Sequence, residues 1–477
     1  MTALTGTRAP TPVVRAGRRR PAARAAAWVR AHRRALVWLS PVLAVGAVVN
    51  LVNLGGAPQR IDDEGTYTAQ AWAVTNLGEL AHYTYWYDHP PLGWLQLAAY
   101  TELTGAFARW DVAVLAAREA VVVASLIATV LLWVLARRVG LSRPAAAATG
   151  LIFLVSPLAL QFHRTVYLDN VAVPWLLLAF VLATNRNRQL AAFAGSAVAF
   201  GVAVLSKETF LLALPVLVWV MLRASHRETR RYTLSVAASL LVLIGGSYLL
   251  LAAVKGELFS GADRVSLMDG IVFQLSSRAG SGSLTDPDSL LNRTLGMWWQ
   301  LDQVFIVLGL LSAVAALFLR RLRPYAALVL GLALFMLRPG GYVPVPYVIA
   351  LLPFGALLIA GVAGDAVARL RARGATGAGP RTGPSRSSRR ARSWRSRCGA
   401  PSCAASCSRT STGRCARPRH GSRRTCPVTS AWSWTTPCGW TWCGPAGTAG
   451  TSSGTTSSTP TRRSAPSLPT AGAISTT

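Results

Sequence analysis

Three consecutive carboxylates, Asp62, Asp63 and Glu64, follow the first long apolar stretch, and His89 stands a short distance beyond them in a segment rich in Tyr and Trp. Adjacent carboxylates repel one another unless they share a proton or a cation. Such a cluster suits two tasks: taking a proton from an incoming hydroxyl, and holding a divalent cation through hard oxygen ligands. A solvated acidic loop at a helix end is the plainer alternative. Pro90 and Pro91 fix the backbone after His89 and deny it a helix, so this ring is presented on a rigid turn. Its plainer alternative is a place in an aromatic belt with Tyr83, Tyr85, Trp86, Tyr87 and Trp94.

Three further places carry polar groups between apolar stretches. FHRTVYLDN sets Arg164 and Asp169 at a junction where unpaired charge near hydrocarbon is costly; the two are candidates for a site or for a pair with each other. Lys207 is one of two lysines in the chain, the other being Lys255, and it stands beside Glu208 in LSKETFLL. That neighbour offers a plain ion pair, whereas a lone ammonium in an arginine-rich chain also suits a phosphate contact. Arg338, Gly340, Gly341 and Tyr342 form a turn that could clamp a ligand.

The elements that must hold these residues are apolar segments of membrane length. About 20 such residues cross a bilayer, and the sequence offers roughly ten candidates. They are 35–54, 112–135, 145–160, 171–182, 190–205, 210–222, 234–254, 304–319, 326–337 and 345–362. The expected fold class is therefore all-α: a polytopic transmembrane helical bundle with extracytoplasmic loops. Arginines gather in the arm 8–34 and in 137–143, 186–188, 223–231 and 320–323, and these alternate with basic-poor connections. Loops retained in the cytoplasm carry the excess of Arg and Lys, so the N-terminus is expected inside. Every polar cluster named above then opens on the extracytoplasmic side. The first apolar segment is long for a signal-peptide core and is read as a retained anchor.

Three regions follow: a basic cytoplasmic arm at 1–34, a transmembrane domain at 35–365 and a low-complexity tail at 366–477. From Gly374 the tail contains no Asp, Glu, Lys, Asn, Phe, Tyr or Met, and it holds all seven cysteines. A disordered basic tail, a disulfide or metal domain, and a shifted reading frame are the readings open to it. The cysteine spacing matches no zinc pattern, and His420 stands alone there. Back-translation of Ser433 to Gly444 with a choice of GC-rich codons, read one base earlier, can give ordinary folded-domain sequence, and a shifted frame after about Arg373 is the preferred reading. The net charge of +31 lies largely in this tail and in the arginine-rich loops, so it does not argue for nucleic acid as a partner.

In their order and spacing, DExxY (Asp63, Glu64, Tyr67), HPPLGWL (His89 to Leu95), RxxYLD (Arg164, Tyr167, Leu168, Asp169) and the SKE turn (Ser206 to Glu208) form a pattern over residues 35–365. It resembles the GT-C superfamily of integral-membrane glycosyltransferases, in particular the protein mannosyltransferase and aminoarabinose transferase group. The resemblance implies a sugar donor carried on a membrane-embedded polyprenyl phosphate, an extracytoplasmic acceptor hydroxyl on protein, lipid or glycan, and inversion at the anomeric carbon. It implies Asp63 as catalytic base with Glu64 beside it. Glu64 and Asp169 would orient the site or bind a divalent cation, and His89, Arg164 and Lys207 would face the lipid phosphate. Tyr67, Tyr167 and Glu208 would support the site. No nucleotide cofactor is expected, because the donor already carries its activation, and the expected home is a bacterial plasma membrane. Members of the group commonly continue into further helices and a soluble domain, where this chain has its tail. A transporter or lipid flippase is the competing class, but it would more naturally carry ionisable residues in mid-helix and show repeated halves.

Overall fold

Runs of Ala, Leu and Val that are apolar on every side form helices, because only a helix satisfies each backbone group within its own segment when lipid replaces water. The structure, a computed structural model, describes residues 21–80, 87, 89–261, 266–338 and 341–376. In chain order the helices are α1 (Pro21–Leu51), α2 (Asp62–Leu77), α3 (Leu92–Thr104), α4 (Ala106–Arg109), α5 (Ala113–Arg138), α6 (Arg143–Val155), α7 (Pro157–His163) and α8 (Leu168–Ala183). Then come α9 (Gln189–Ser206), α10 (Leu214–Ala224), α11 (Arg230–Val254), α12 (Leu267–Val272), α13 (Leu290–Leu301), α14 (Gln303–Ala316), α15 (Arg323–Met336) and α16 (Leu352–Thr376). Short 3-10 turns at Glu208–Ala213 and Val345–Ala350 precede α10 and α16. No strand occurs among the described residues. The tail expected at 366–477 falls outside them beyond Thr376.

All ten expected apolar segments are helical over most of their length, and by length and composition fewer than ten of them qualify as spans. Five helices are long and apolar enough to cross a membrane, and the number reaches seven if two bent pairs each count as one. Helices α8 and α15 are apolar but shorter. The segment at 210–222 is divided into a 3-10 turn and an eleven-residue helix that starts Leu214-Pro215. Proline is tolerated in a first helical turn but lacks the N–H that would carry a continuous helix through it.

The long connections expected as loops are largely helical. The first, 59–111, contains α2, α3 and α4, and 255–302 contains α12 and α13. Asp62, Asp63 and Glu64 form the first turn of α2, where the helix dipole favours negative charge. Their clustering, which reads as a loop in sequence, is also a helix-start signal.

The two bends are tied together. Helices α6 and α7 meet at 61° at Ser156, and α13 and α14 meet at 102° at Asp302. Ser156 Oγ donates to Asp302 Oδ2 at 2.5 Å, while Asp302 Oδ1 accepts the Phe305 N–H at 2.8 Å and caps α14. One carboxylate thus fixes both breaks. On the outer faces, α11 leaves Val242, Leu243 and Leu250 exposed, a patch that suits lipid rather than water. Inside, Phe180, Tyr325 and Phe354 pack ring to ring with centroids 5.3–6.1 Å apart.

Replacing Asp302 with Ala removes a helix cap and the link to Ser156, and a cap alone contributes about 1 kcal/mol. The variant should therefore melt several degrees lower in detergent, with its helical circular dichroism retained; an unchanged melting temperature would show that the two bends stand without the link.

Candidate active site

Glu64 and Arg118 are both fully buried, and they meet as a bidentate pair. Arg118 Nε donates to Glu64 Oε1 at 2.8 Å and Nη2 to Oε2 at 2.7 Å. The Val166 N–H donates to Oε1 at 2.8 Å, and the Ile61 N–H reaches Oε2 at 3.4 Å. Arg118 spends its remaining donors on the carbonyls of Leu54, at 2.8 Å, and Pro58, at 3.0 Å. This one pair joins the segment after α1, the start of α2, α5 and the approach to α8. Each Glu64 oxygen thus accepts from two N–H donors.

The pair sets its neighbours. Asp63 precedes Glu64 on the first turn of α2 and is half-buried. Tyr167 follows Val166 and stands at the start of α8. Burial first, and then the charges of Asp63, Asp169 and Glu64, push the Tyr167 phenol above its ordinary value. It therefore stays a neutral hydroxyl among carboxylates. Asp169, buried in the first turn of α8, lies within electrostatic reach of Lys207, Glu208 and His89.

His89 and Lys207 are buried together. Lys207 Nζ lies 2.9 Å from His89 Nε2, and Glu208 Oε2 lies 3.1 Å from His89 Nδ1. A carboxylate only accepts and an ammonium only donates, so this arrangement suits a neutral imidazole with its proton on Nδ1. The Tyr67 hydroxyl stands 3.3 Å from Nε2, and the Tyr248 hydroxyl donates to the His89 carbonyl at 3.4 Å. Burial alone would raise the Glu208 carboxyl; Lys207 and His89 outweigh it and hold the group low, at about 2.

The HPPLGWL segment brings these groups together. Proline at 91 precedes the first residue of α3, and Gly93 lets α3 close on the end of α9. A Cβ at Gly93 would stand 3.0 Å from the Ser206 carbonyl and 3.0 Å from Leu168. Gln96 Nε2 donates to Ser206 Oγ at 2.7 Å, and Trp175 Nε1 donates to Gln96 Oε1 at 2.6 Å, so α3, α8 and α9 share one polar seam. Ahead of His89, Tyr87 has a φ of 62°, a left-handed conformation that is strained for a bulky residue. Its hydroxyl donates to Glu257, which also pairs with Lys255 at 3.1 Å. Burial and that carboxylate raise the Tyr87 phenol. The neighbouring aromatics Tyr83, Tyr85 and Trp86 lie outside the described residues.

Of the residues singled out in sequence, Tyr67, His89, Lys207, Glu208 and Asp169 form one cluster, and Asp63, Glu64 and Tyr167 border it. Arg164 lies within electrostatic reach of Arg118, and its Nη2 donates to the carbonyls of Val52, at 2.7 Å, and Asn53, at 2.5 Å, just past α1. No ion pair joins it to Asp169 among the described residues. Arg338 lies over the Phe335 ring at 3.8 Å, and Arg278 lies over the Tyr342 ring at 3.6 Å; Gly340 lies outside the described residues. Among the described residues no three His, Cys, Asp or Glu side chains converge to hold a metal ion. Arg118 escaped the sequence reading, although an arginine inside an apolar helix is a recognisable signal.

Residues 88–250 match the Dolichyl-phosphate-mannose-protein mannosyltransferase family, a segment that includes His89, Arg164, Asp169, Lys207 and Glu208 but not Asp63. No curated protein matches the chain. Among solved structures, ArnT from Cupriavidus metallidurans bound to undecaprenyl phosphate is similar at 20% identity with a TM-score of 0.53, over 71% of this chain and 62% of that one. The same protein in its apo state gives 20% identity and a TM-score of 0.51, over 72% and 62%. The oligosaccharyltransferase AglB from Archaeoglobus fulgidus, in complex with an inhibitory peptide and a dolichol-phosphate, gives 16% identity and a TM-score of 0.45, over 75% and 53%. This chain thus spans about three-fifths of the length of ArnT.

Removing one partner of a buried pair strands the other charge at a cost of about 3–5 kcal/mol. Arg118→Met should therefore sharply reduce the yield of folded protein in membranes, and Glu64→Gln, which leaves the guanidinium without a counter-charge and turns an amide NH2 toward two N–H donors, should reduce it as well. Equal yields for wild type and Arg118→Met would remove the pair from its structural role.

Proposed function

We propose, from the premise that the chain is by fold a member of the GT-C superfamily of integral-membrane glycosyltransferases, that it transfers a sugar from a polyprenyl-phosphate donor to an acceptor hydroxyl on the extracytoplasmic face, with inversion. The observation that carries this reading is the juxtaposition of a half-buried carboxylate, Asp63, with a buried cluster around Lys207 and His89, bridged by Tyr167 and Asp169. In the reaction, Asp63 takes the proton of the acceptor hydroxyl as its oxygen attacks the anomeric carbon. The bond from that carbon to the phosphate oxygen breaks, and the lipid phosphate leaves as an anion. A neutral alcohol needs a base, and a departing phosphate needs fixed donors.

Lys207 supplies the positive charge, and His89, whose Nε2 accepts from the ammonium while its Nδ1–H is held by Glu208, aims that charge at the phosphate. Glu208 and Asp169 hold Lys207 in place. Tyr167, kept neutral, offers a hydroxyl beside Asp63. Arg164 is assigned to the end of α1, because its Nη2 is already spent on two carbonyls there. No step is routed through a metal ion, since the carboxylates near the cluster do not converge as ligands. An apolar cavity of about 390 Å³ at the same end of the bundle, lined by Trp298, Phe305, Met336 and Val348 among others, supports a place for the isoprenoid tail. The extracytoplasmic assignment rests on the distribution of arginines.

Asp63→Asn keeps the shape but not the basicity, so transfer from a labelled polyprenyl-phosphate sugar in isolated membranes should fall by at least about 100-fold while insertion is unchanged. Transfer at the wild-type rate would remove Asp63 from the mechanism. Lys207→Ala should raise the donor KM more than it alters that of the acceptor; unchanged donor kinetics would count against a phosphate contact at this turn.

A further inference from the structure

At the end of the bundle opposite Asp63, Arg138, Arg186, Arg223 and Arg321 surround one recess of about 340 Å³, together with Thr184 and Tyr325. It lies between the ends of α5, α8 and α10 and the start of α15. Three of the guanidiniums are aimed by backbone carbonyls. Arg138 donates to the Val181 carbonyl, Arg223 Nη1 to that of Arg320 at 2.8 Å, and Arg321 Nη1 to that of Gly140 at 2.9 Å. A carbonyl orients a guanidinium without neutralising it. Among the described residues, Asp365 is the one carboxylate bonded to any of the four, through Arg321. Positive charge at a helix C-terminus is favourable and accounts for Arg138 and Arg223 one at a time. It does not account for four arginines converging on one cavity.

A second observation concerns Tyr325, which is 2% exposed and whose ring is clamped between Phe180 and Phe354. Tyr325 lines the recess within electrostatic reach of Arg223. The recess therefore offers forked guanidinium donors and a phenol to an anion, with Val139 and Val220 as apolar walls. Its volume falls within the range of ordinary ligand sites. Its place at the ends of membrane helices is the level of lipid headgroups, and the arginine distribution assigns this end to the cytoplasmic leaflet.

We propose that this recess binds the phosphate headgroup of an anionic phospholipid, whose paired phosphate oxygens match the guanidinium forks and whose acyl chains lie along the apolar walls. The bound lipid would brace the basic ends of four helices against their mutual repulsion.

The test uses the full chain in lipid nanodiscs, with native mass spectrometry for bound lipid and a melting curve for the fold. Phosphatidylglycerol should be retained over phosphatidylcholine and should raise the melting temperature. Arg186→Gln with Arg223→Gln should weaken that retention by about tenfold or more, because two charge-assisted contacts are lost. Helical circular dichroism in pure phosphatidylcholine monitors the fold of the variant. Arg143→Gln, in a separate basic recess formed with Arg33, Arg34 and Trp38, should leave retention unchanged. Equal retention of the two lipids, equal loss in the Arg143 variant, or full retention by the double variant would overturn the proposal. Stabilisation by inorganic phosphate alone to the same extent would reassign the recess to a soluble anion and overturn the lipid assignment.

Discussion

The buried pair of Glu64 and Arg118 is the constraint on which the geometry of the candidate site depends. A charge-paired carboxylate in a dry interior tolerates little displacement, because leaving either partner alone costs several kcal/mol. Glu64 accepts from Arg118 and from the Val166 N–H, and Arg118 reaches back to the carbonyls of Leu54 and Pro58. The residues adjacent in sequence to those anchors are Asp63 and Tyr167. The pair thus delivers a carboxylate from one helix start and a phenol from another to the same place, although more than a hundred positions separate them in sequence.

A second constraint brings the cationic side of the site to this point. Gly93 permits close contact between α3 and the end of α9, and the seam of Trp175, Gln96 and Ser206 fastens it. His89 and Lys207 then meet at 2.9 Å. Neither residue is near the other in the chain, and each occupies a turn rather than a helix interior. The helices alternate in direction, so the ends bearing acidic, imidazole and hydroxyl groups lie together and the arginine-rich ends lie at the other extreme.

Much of this was legible in sequence, for physical reasons that also mark its limits. Apolar segments revealed the helical bundle, since hydrocarbon length and composition leave few other solutions. By length and composition fewer than ten qualify as spans, because α8, α10 and α15 are short and a break such as Ser206 to Leu214 is invisible to hydropathy. The cluster of Tyr67, His89, Lys207 and Glu208 was legible from residue types flanking helix ends. The pairing of Glu64 with Arg118 was not legible, because Arg118 lies on a distant helix and only the fold brings the two together. That Arg164 Nη2 would reach the carbonyls at the end of α1 was not legible, because sequence gives no sign of an unsatisfied backbone group in three dimensions.

The most direct test of the central claim is a cryo-electron microscopy map of the full chain in lipid with a polyprenyl phosphate bound. The account predicts the phosphate within hydrogen-bonding distance of Lys207 Nζ and the Asp63 carboxylate facing the same cavity, with the Glu64 and Arg118 pair intact behind it. A phosphate seated away from Lys207, or Asp63 turned out of the cavity that holds it, would contradict the account.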